Sequence, residues 1–464
     1  MKILFIIPPF LSVGKKSSHS PHLIPNLGIA YMASILKNEG HEVNVIDALA
    51  EGLSRASLIN KIAVVQPDIV GLTASTYQIY DAAEIAKEVK GLSSEIITII
   101  GGYHASALPE QTLKEFDSFD YLVSGEGELT LSELLKAISS GNNDMLKDIK
   151  GIVYRTGNKI IVNPQRPYID VNTLPMPDFD EFNLSLYKPF YTFLIRKLRE
   201  LPVMTSRGCP YDCVFCFRSQ GNIVRYKSLQ SVIDEIKRDI EVYHINQILF
   251  TDETFTINMK RTEAICDELI STGINKKIEW GCETRADVVD EALLKKMKRA
   301  GCRVIYYGVE SGDQGILDHA TKDLKIVDIK NAVKWTKDAG IDVYANLIIG
   351  LPYDTEETIN RTIDFAIELD PDAVSFAILT PFPGTELVDM IKKGKGELKI
   401  IAHDWRDYNK QFGRALELEY LSIKQLRKLQ RKAYIKFYFR PKRFINMFKI
   451  VDIRALISYF LHRL

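Results

Sequence analysis

Short apolar runs rich in β-branched residues alternate with stretches of helical periodicity along most of this 464-residue chain. Such alternation is typical of repeated β-α units, which form a parallel sheet. In the second half of the chain it predicts strands at 203–206, 247–251, 277–282, 303–309, 342–349 and 373–379. Helices are predicted between them at 228–243, 262–272, 290–300, 326–339 and 355–369. Six units of this kind predict a partial (β/α)6 barrel.

The N-terminal part of the chain predicts a second α/β domain. Its strands are expected at 2–7, 43–47, 69–73, 95–100 and 121–124, and its helices near 27–39, 56–65, 79–92, 108–116 and 129–139. This order favours a doubly wound, flavodoxin- or Rossmann-like sheet, in which ligands lie beyond the carboxyl ends of the strands. The candidate ligand contacts are the turn residues at that edge, which are Ser75, Gly101, Gly102, His104, Ser124, Gly125 and Glu126.

The two α/β domains are expected at residues 1–140 and 196–400. Residues 141–195 between them predict a linker, with a hairpin candidate around Gly157 and Asn158 followed by a proline-spaced extended stretch. Residues 401–464 predict a basic, amphipathic and helical C-terminal region.

The composition is that of an ordinary soluble protein, with 46% hydrophobic and 26% charged residues and a formal net charge of +0. This average hides an asymmetry, because residues 421–464 contain twelve Lys or Arg and one acid, Asp452. The tail is therefore +11 and the rest of the chain −11. Interleaved aromatic and aliphatic residues suit either peripheral contact with an anionic membrane or a helical extension packed on the acidic body. A nucleic-acid patch is a further alternative that we do not expect.

The N-terminal apolar run stops at Pro8 and Pro9 without a small-residue cleavage site, so it predicts a first strand rather than a secretory signal. No run in the chain reaches the roughly 18 apolar residues that a transmembrane helix needs. We therefore expect a cytoplasmic protein, with the basic tail as the feature that favours the membrane surface.

Three of the six cysteines form a C-x-x-x-C-x-x-C run at Cys209, Cys213 and Cys216. A zinc site would need a further ligand pair at fixed spacing, and the sequence offers none. Sparse cysteines also disfavour a disulfide framework. A four-iron cluster normally takes four cysteine ligands, so three thiolates would leave one iron open to a small molecule. The scattered remaining cysteines are predicted to be core residues: Cys266, Cys282 and Cys302.

Polar residues follow the predicted strands after this cysteine run, where a β/α barrel has its active site. Each one alone could be a turn or capping residue. Their joint occurrence favours a ligand site formed by Asp252, Glu253, Arg285, Glu310, Ser311 and Thr380.

The cysteine run, with aromatic Phe215 before its last cysteine, resembles the cluster loop of radical S-adenosylmethionine (SAM) enzymes. The resemblance implies a [4Fe–4S] cluster whose open iron binds SAM and whose electron cleaves it to a 5′-deoxyadenosyl radical. It also implies that Phe215 and Thr380 contact SAM, that Asp252 and Glu253 hold its amino group, that Arg285 meets its carboxylate, and that Glu310 and Ser311 hold its ribose. The protein then supplies orientation rather than acid–base chemistry, and a ferredoxin or flavodoxin is the implied reductant.

Residues 1–140 resemble the cobalamin-binding domain that precedes the barrel in one subgroup of these enzymes. Where such domains supply a cobalt ligand they carry D-x-H-x-x-G, and this chain has Asp47, Leu49 and Gly52 at those positions. Leu49 cannot ligate cobalt. Either cobalamin is bound without a protein histidine, or the domain persists without the cofactor.

The resemblance is to the subgroup that includes anaerobic magnesium-protoporphyrin ester cyclases and hopanoid-modifying enzymes. It implies hydrogen abstraction from an unactivated carbon of a small-molecule or lipid substrate, with cobalamin-dependent methyl transfer as the leading outcome. Carbon–carbon bond formation, cyclisation or fragment attachment on a lipid, isoprenoid or tetrapyrrole is the alternative. A methylthiotransferase would need a second cysteine triad, and residues 1–200 contain no cysteine. A non-enzymatic cobalamin sensor would leave the cluster loop unexplained.

Overall fold

The computed structural model describes residues 1–9, 24–187, 199–409 and 413–440. They divide into two compact units. The first comprises Met1–Tyr187 and Asp404–Arg406, and the second contains the rest.

The first unit contains seven strands and six α-helices among its described residues. Its strands are β1 (Lys2–Ile7), β2 (Glu42–Asp47), β3 (Ile69–Thr73), β4 (Ile97–Gly101), β5 (Tyr121–Val123), β6 (Ile152–Thr156) and β7 (Lys159–Val162). Its helices are α1 (Leu27–Asn38), α2 (Arg55–Val65), α3 (Ile79–Leu92), α4 (Tyr103–Ala107), α5 (Pro109–Glu115) and α6 (Gly127–Ser140).

The first sheet has the order β2-β1-β3-β4-β5-β6-β7 and is parallel as far as β5. Chain order reverses between β1 and β3, so the crevice of this doubly wound sheet lies at the carboxyl ends of these two strands. The core combines Leu4, Val70 and Ile100 from the strands with Ile79 and Ile85 from α3. The expected doubly wound domain is confirmed.

The hairpin β6–β7, which we expected within a linker, extends this sheet. β6 pairs antiparallel with β5 and with β7. It covers the edge of β5, whose backbone groups would otherwise be unpaired. The first unit therefore continues past residue 140 to Tyr187, and most of the stretch expected as a linker belongs to it.

The second unit carries the larger set of elements. Its strands are β8 (Glu200–Val203), β9 (Ser206–Arg207), β10 (Arg225–Tyr226), β11 (Gln247–Phe250), β12 (Glu279–Thr284), β13 (Cys302–Glu310), β14 (Asp342–Ile349), β15 (Ala373–Ile378), β16 (Leu398–Ile400) and β17 (Leu416–Leu418). Its helices are α7 (Leu229–Tyr243), α8 (Met259–Ser271), α9 (Glu291–Arg299), α10 (Gln314–His319), α11 (Ile326–Asp338), α12 (Glu356–Leu369), α13 (Glu386–Lys392) and α14 (Ile423–Tyr438).

Six parallel strands form its main sheet in the order β15-β14-β13-β12-β11-β8, the arrangement expected of a partial barrel. Side-chain caps begin several of the helices. Ser228 accepts a hydrogen bond from Ser231 N at 3.1 Å, and Asp290 accepts one from Leu293 N at 2.7 Å. Because all six strands are parallel, their carboxyl ends meet at one face of the unit.

The described part of the basic tail packs on this sheet. α14 buries Leu426, Leu429, Ala433 and Phe437. Its Gln430, Tyr434 and Tyr438 side chains bond the free edge of β15. Within the described ranges, no helix combines the length and apolar character needed to cross a membrane. Residues 441–464, the remainder of the predicted helical tail, lie outside the described residues.

Candidate functional site

The three cysteines lie in a loop that follows β9 at the carboxyl-end face of the barrel. Gly208 begins this loop with a φ of +97°, and a Cβ there would lie 2.3 Å from the carbonyl oxygen of Ile223, so only glycine fits. Cys209 N donates to Gly221 O at 3.1 Å, and Cys216 N donates to Cys213 O at 3.0 Å. All three cysteines are free thiols. The loop is thus held by its own backbone, and its sulfurs remain available.

The cluster loop, residues 209–216, is also fixed to neighbouring β/α units. Val214 N donates to Ala320 O at 3.2 Å, and Leu387 N donates to Val214 O at 2.8 Å. Phe215 packs against an apolar cluster that includes Leu351. The N–H and the carbonyl group of Val214 thus attach the cluster loop to two neighbouring segments of the barrel.

The residues of this loop fit a four-iron cluster better than a single ion. In the part of the chain that the structure describes, no three His, Cys, Asp or Glu side chains converge as one metal ion would require. A [4Fe–4S] cluster instead takes one thiolate for each iron. Burial raises the pKa of the Cys213 thiol, while the charge of Lys322 acts in the opposite direction. Ligation by iron would keep this sulfur deprotonated.

Asp252 and Glu253 follow β11 but have different environments. Asp252 is 1% exposed and accepts hydrogen bonds from Thr205 N at 3.1 Å, Thr205 Oγ1 at 2.8 Å and Ser206 Oγ. Burial raises its pKa, and the hydrogen bonds from Ser206 and Thr205 oppose that rise. Glu253 is exposed and accepts from Gly208 N at 3.2 Å. Asp252 therefore fixes the strand end before the cluster loop, and Glu253 is bonded to the glycine that begins that loop.

Glu310 ends β13 in an unusual conformation. Its φ is +61°, and the register with β14 shifts between Gly308 and Glu310. This local bulge directs the Glu310 carboxylate to Lys322, whose Nζ lies 2.9 Å away. Burial is the largest influence on Lys322 and would lower its pKa, but the charge of Glu310, the charge of Cys213 and the hydrogen bond to Glu310 together outweigh burial, and the pKa is raised. The two form a buried ion pair.

Lys322 was missed by the sequence analysis. It lies in the turn between α10 and α11 and not after a strand, so the rule that selects strand-end residues passes over it. Its Nζ is 6.0 Å from the centroid of the Phe215 ring, which places an ammonium group beside the cluster loop. No feature of the local sequence distinguishes it from a surface lysine.

The other predicted SAM contacts are largely engaged within the protein. The Arg285 guanidinium forms two hydrogen bonds to Asp287, at 2.9 and 2.8 Å. Ser311 is 1% exposed, and its Oγ lies 3.0 Å from Thr362 Oγ1. Thr380 follows β15 and is 4% exposed. The structure thus brings these residues to the same face as the cysteines, with Arg285 and Ser311 already bonded to other residues.

In the first unit, the predicted turn residues lie at or after the carboxyl ends of β3, β4 and β5, with Gly101 as the last residue of β4. Ala74 N donates to Gly101 O at 3.2 Å, and a Cβ on Gly102 would lie 2.7 Å from Thr73 Oγ1. The adjoining Ser75 Oγ donates to Gln78 at 2.6 Å. Close backbone approach between these turns requires glycine at 102, where φ is +94°. A bulky ligand at this edge would meet mainly backbone.

The turn after β5 has a similar character. Gly125 has a φ of +78°, and its N–H donates to Ser106 Oγ at 2.9 Å. Ser124 N donates to Gly151 O at 2.8 Å, and the Glu126 carboxylate accepts from Ile169 N at 2.9 Å. Polar groups and close-packed backbone at this edge suit a large polar cofactor such as cobalamin.

His104 does not present a nitrogen to this edge. Its side chain is fully buried, and its ring packs edge-on against Trp405 with centroids 5.0 Å apart. Neither ring nitrogen has a hydrogen-bond partner among the described residues. Burial lowers its pKa to about 4. The contacts of His104 are those of a core residue.

The position of the absent cobalt ligand is also defined. Asp47 accepts hydrogen bonds from Ala50 N at 2.9 Å and from the hydroxyl of Tyr187 at 2.8 Å. Leu49, which lies between Asp47 and Ala50 in sequence, carries no group that could coordinate a metal. Tyr187 therefore engages the aspartate of the altered motif.

Comparisons with known proteins agree with both units. The Radical SAM superfamily profile matches residues 203–366, and the B12 binding domain profile matches residues 18–135. An uncharacterised methyltransferase of Pyrococcus horikoshii is 37% identical over 449 residues, which cover 95% of this chain and 93% of that protein. The anaerobic magnesium-protoporphyrin IX monomethyl ester cyclase of Rubrivivax gelatinosus is 32% identical and covers 88% of this chain and 72% of its own length.

Solved structures share the fold at lower identity. The cobalamin-dependent SAM radical enzyme OxsB superposes with a TM-score of 0.76 at 20% identity, covering 100% of this chain and 71% of that one. The radical SAM methyltransferase TsrM from Kitasatospora setae gives a TM-score of 0.70 at 19% identity, with 89% and 85% covered. The predicted family, enzymatic class and cofactors are confirmed by these comparisons. The chain belongs to the radical SAM superfamily, in the cobalamin-dependent methyltransferase family that joins a B12-binding domain to the barrel, and it uses a [4Fe–4S] cluster, SAM and cobalamin.

Proposed function

We propose that this enzyme transfers a methyl group to an unactivated carbon of a small-molecule substrate. The observation that carries the proposal is the occurrence, in one chain, of three free thiols at the barrel's carboxyl-end face and a B12-type domain. The relative from Pyrococcus horikoshii, which matches along 95% of the chain, is described as a methyltransferase.

The cluster would be held by Cys209, Cys213 and Cys216. When bound, the reduced cluster supplies the electron that cleaves SAM, and cobalamin supplies the carrier for the methyl group. The protein binds and orients these groups and keeps water from them. A ferredoxin or flavodoxin is the proposed source of the electron.

The proposed SAM contacts are charged, polar and aromatic groups at the carboxyl-end face of the second unit. Exposed Glu253 is the candidate acceptor for the SAM amino group, because a carboxylate is a strong acceptor for an ammonium. Glu310 is the candidate for the ribose hydroxyls. Lys322, rather than Arg285, is the candidate for the SAM carboxylate, since its ammonium has Glu310 as its one ion-pair partner among the described residues and lies 6.0 Å from the Phe215 ring, whereas Arg285 bonds Asp287 and two backbone carbonyls. Phe215 and Thr380 complete the proposed contacts.

Cobalamin would be held at the carboxyl edge of the first sheet. The proposed contacts are Ser75, Gly101, Gly102, Ser124, Gly125 and Glu126, whose turns combine close backbone approach with polar side chains. We propose no contact for His104, because its ring is buried against Trp405.

Side chains on the barrel strands bear on the class of substrate. Partly exposed polar side chains alternate with buried apolar ones, with Tyr306 on β13, Tyr344 and Asn346 on β14, and Ser375 on β15. The Tyr306 and Tyr344 rings are 5.2 Å apart. These two rings pack against Val304 and Ala373, so we propose Asn346 and Ser375 as the polar groups that favour a substrate with hydrogen-bonding groups. A membrane lipid substrate depends on residues 441–464, which lie outside the described residues.

The stoichiometry of SAM products tests methyl transfer. The reconstituted enzyme, loaded with cobalamin, should form S-adenosylhomocysteine from the methyl-donating SAM and 5′-deoxyadenosine from the SAM that is reductively cleaved. The Cys213→Ala variant should form no 5′-deoxyadenosine, since its cluster lacks a ligand. Formation of 5′-deoxyadenosine by that variant would contradict the cluster assignment.

A second candidate is radical cyclisation. It is favoured by 31–32% identity to two anaerobic magnesium-protoporphyrin IX monomethyl ester cyclases, compared with 27% for the hopanoid C-3 methylase of Methylococcus capsulatus. Cyclisation transfers no methyl group, so turnover would yield 5′-deoxyadenosine without stoichiometric S-adenosylhomocysteine. The same product analysis therefore separates the two candidates.

A further inference from the structure

The Arg285 guanidinium joins three segments of the barrel face. Its Nε and Nη2 bond the carboxylate of Asp287, its Nη1 donates to Lys322 O at 2.7 Å, and Nη2 also donates to Asp323 O at 3.0 Å. Its Cζ lies 3.6 Å from the centroid of the Tyr211 ring, which belongs to the cluster loop. One side chain thus contacts the cluster loop, the segment after β12 and the turn between α10 and α11.

The turn at 321–323 is a segment that needs such support. Thr321 and Asp323 have φ values of +51° and +47°, in the left-handed region that non-glycine residues rarely adopt. Strained residues of this kind persist only where surrounding contacts fix them. Arg285 bonds the carbonyls of Lys322 and Asp323, and Lys322 N donates to Leu317 O at 3.0 Å. These bonds set the direction in which the Lys322 side chain leaves the turn.

Arg285 has little remaining capacity to donate hydrogen bonds to a ligand. Guanidinium has five N–H donors, and four of them are directed at Asp287, Lys322 O and Asp323 O. One face of the group is covered by Tyr211, and the residue is 4% exposed. A group in this state is better suited to holding protein segments together than to binding a ligand carboxylate.

We propose that Arg285 is a positioning residue that couples the cluster loop to the 321–323 turn, and that it acts on SAM through Lys322 without touching it. Through Tyr211 it fixes the loop between the first two cluster cysteines. Through the two carbonyls it holds Lys322 against Glu310. The inference rests on the proposed assignment of the cluster to residues 209–216, and it is independent of which reaction follows SAM cleavage.

Hydrogen exchange of SAM-free, cluster-loaded protein tests the coupling. In Arg285→Lys, amide exchange should rise about tenfold in peptides covering both 209–216 and 319–325, because lost hydrogen bonds to a charged group lower local stability. Arg361→Lys is the matched control, since Arg361 pairs with Asp313 at 2.9 Å and half of its side chain is exposed. The control should leave both peptides unchanged.

Ligand affinity separates positioning from direct contact. Binding of SAM and of decarboxylated SAM should fall by different factors in Lys322→Met, because that variant loses the proposed partner of the carboxylate. In Arg285→Lys the loss of SAM affinity results from a loosened cluster loop and 321–323 turn. Altered amide exchange should therefore already be present before SAM is added. Unchanged exchange together with a loss confined to SAM would identify Arg285 as a carboxylate ligand and overturn the proposal.

A second pair of variants keeps the test valid if Arg285→Lys fails to assemble. Tyr211→Phe retains the ring that stacks on the guanidinium, whereas Tyr211→Leu removes it. Exchange should rise in Tyr211→Leu at 209–216 and also at 319–325, with Tyr211→Phe close to the parent protein. An effect confined to 209–216 would refute the coupling. Iron and sulfide content measured on each variant reports failure of the cluster assignment separately.

Discussion

Gly308 illustrates how a single missing side chain shapes the barrel face. A Cβ at this position would lie 2.4 Å from Glu310 Oε1 and 2.9 Å from Lys322 Nζ. The buried Glu310–Lys322 pair therefore occupies the space that any other residue at 308 would need. Separating a buried ion pair leaves charges without compensation, which is strongly destabilising.

We expect Gly308→Ala to displace this pair and to weaken SAM binding at least tenfold, with a loss of roughly 3 kcal/mol in unfolding free energy. Gly91→Ala is the control, because nothing lies within 4 Å of a Cβ at that helical glycine. It should be neutral or slightly stabilising, as alanine favours helix. Equilibrium dialysis with labelled SAM and urea unfolding measure the two effects. Normal SAM affinity in Gly308→Ala would show that the pair does not serve SAM binding.

His104 gives the first unit a predictable response to acid. Its pKa in the folded protein is about 4, compared with 6.5 for an unperturbed histidine. Between these values the unfolded chain takes up a proton that the folded protein excludes, so stability falls as pH falls from 6.5 to 4. The full loss is about 3 kcal/mol.

His104→Phe should remove this component, since phenylalanine keeps an aromatic edge against Trp405 and has no nitrogen to protonate. Urea titrations of metal-free protein at pH 7 and pH 4.5, followed by hydrogen exchange of peptides within 97–116, should show a smaller decrease for the variant. Equal decreases in both proteins would place the acid sensitivity elsewhere.

At the residue scale, the sequence placed several candidate residues at one face of the barrel but did not give their hydrogen-bond partners. The strand-end rule selected Asp252, Arg285 and Glu310, and the structure brings all three to the barrel's carboxyl-end face. It could not foresee that Thr205 and Ser206 engage Asp252, or that the 321–323 turn engages Arg285, because these partners come from distant segments. Lys322 lies in such a segment, and the strand-end rule therefore did not select it.

At the scale of secondary-structure elements, α14 covers the edge of the barrel sheet at β15. β15 is the edge strand of the main sheet and pairs there with β14, so no strand of that sheet pairs with the backbone groups of its other edge. Tyr434 OH accepts from Phe376 N at 3.1 Å, Tyr438 OH bonds both Val374 N and Val374 O at 3.1 Å, and Gln430 Nε2 donates to Phe376 O at 2.7 Å. Side chains of a helix thus stand in for a neighbouring strand.

Replacing both tyrosines by phenylalanine should leave two buried N–H groups without acceptors, at a cost of about 1–3 kcal/mol each. We expect Tyr434→Phe/Tyr438→Phe to lower the unfolding free energy and to speed amide exchange in β15. Tyr420→Phe provides the control, because Tyr420 is 72% exposed. If the double variant matched the control, the helix would be held by its apolar face alone.

Element positions were predicted well where periodicity is strong, as for β14, whose bounds agree with the expected 342–349. The first barrel strand was displaced, since the pattern suggested 203–206 and β8 is Glu200–Val203. Pro202 lies inside β8, and proline is tolerated there because this strand is at the sheet edge. Propensity alone disfavours such a strand.

At the scale of the whole molecule, the structure restricts which part of the basic tail could insert into a membrane. The apolar face of α14 is buried against the barrel and is not available to a lipid surface. Within the tail, the apolar residues that could still enter a membrane are those of residues 441–464, which also carry five Lys or Arg and one acid. Each basic residue near an anionic surface contributes about 1 kcal/mol.

Truncation after Arg440 should therefore retain the cluster and the fold while sharply reducing co-sedimentation with anionic liposomes at low salt. Truncation after Tyr420 removes α14 as well and should give aggregated protein. The attraction in the full chain should fade as ionic strength rises. Full-length protein that ignores anionic liposomes would remove the support for a lipid substrate.

The three residues Asp404–Arg406, which belong to the first unit, impose an order on its biosynthesis. Trp405 packs on His104 and donates hydrogen bonds to Glu115 at 3.1 and 3.0 Å. The ribosome finishes Tyr187 long before it reaches Trp405, with an interval on the order of ten to forty seconds at ordinary elongation rates. During that interval the nascent first unit lacks the indole that covers His104, so its last packing step waits until nearly all of the barrel has been translated.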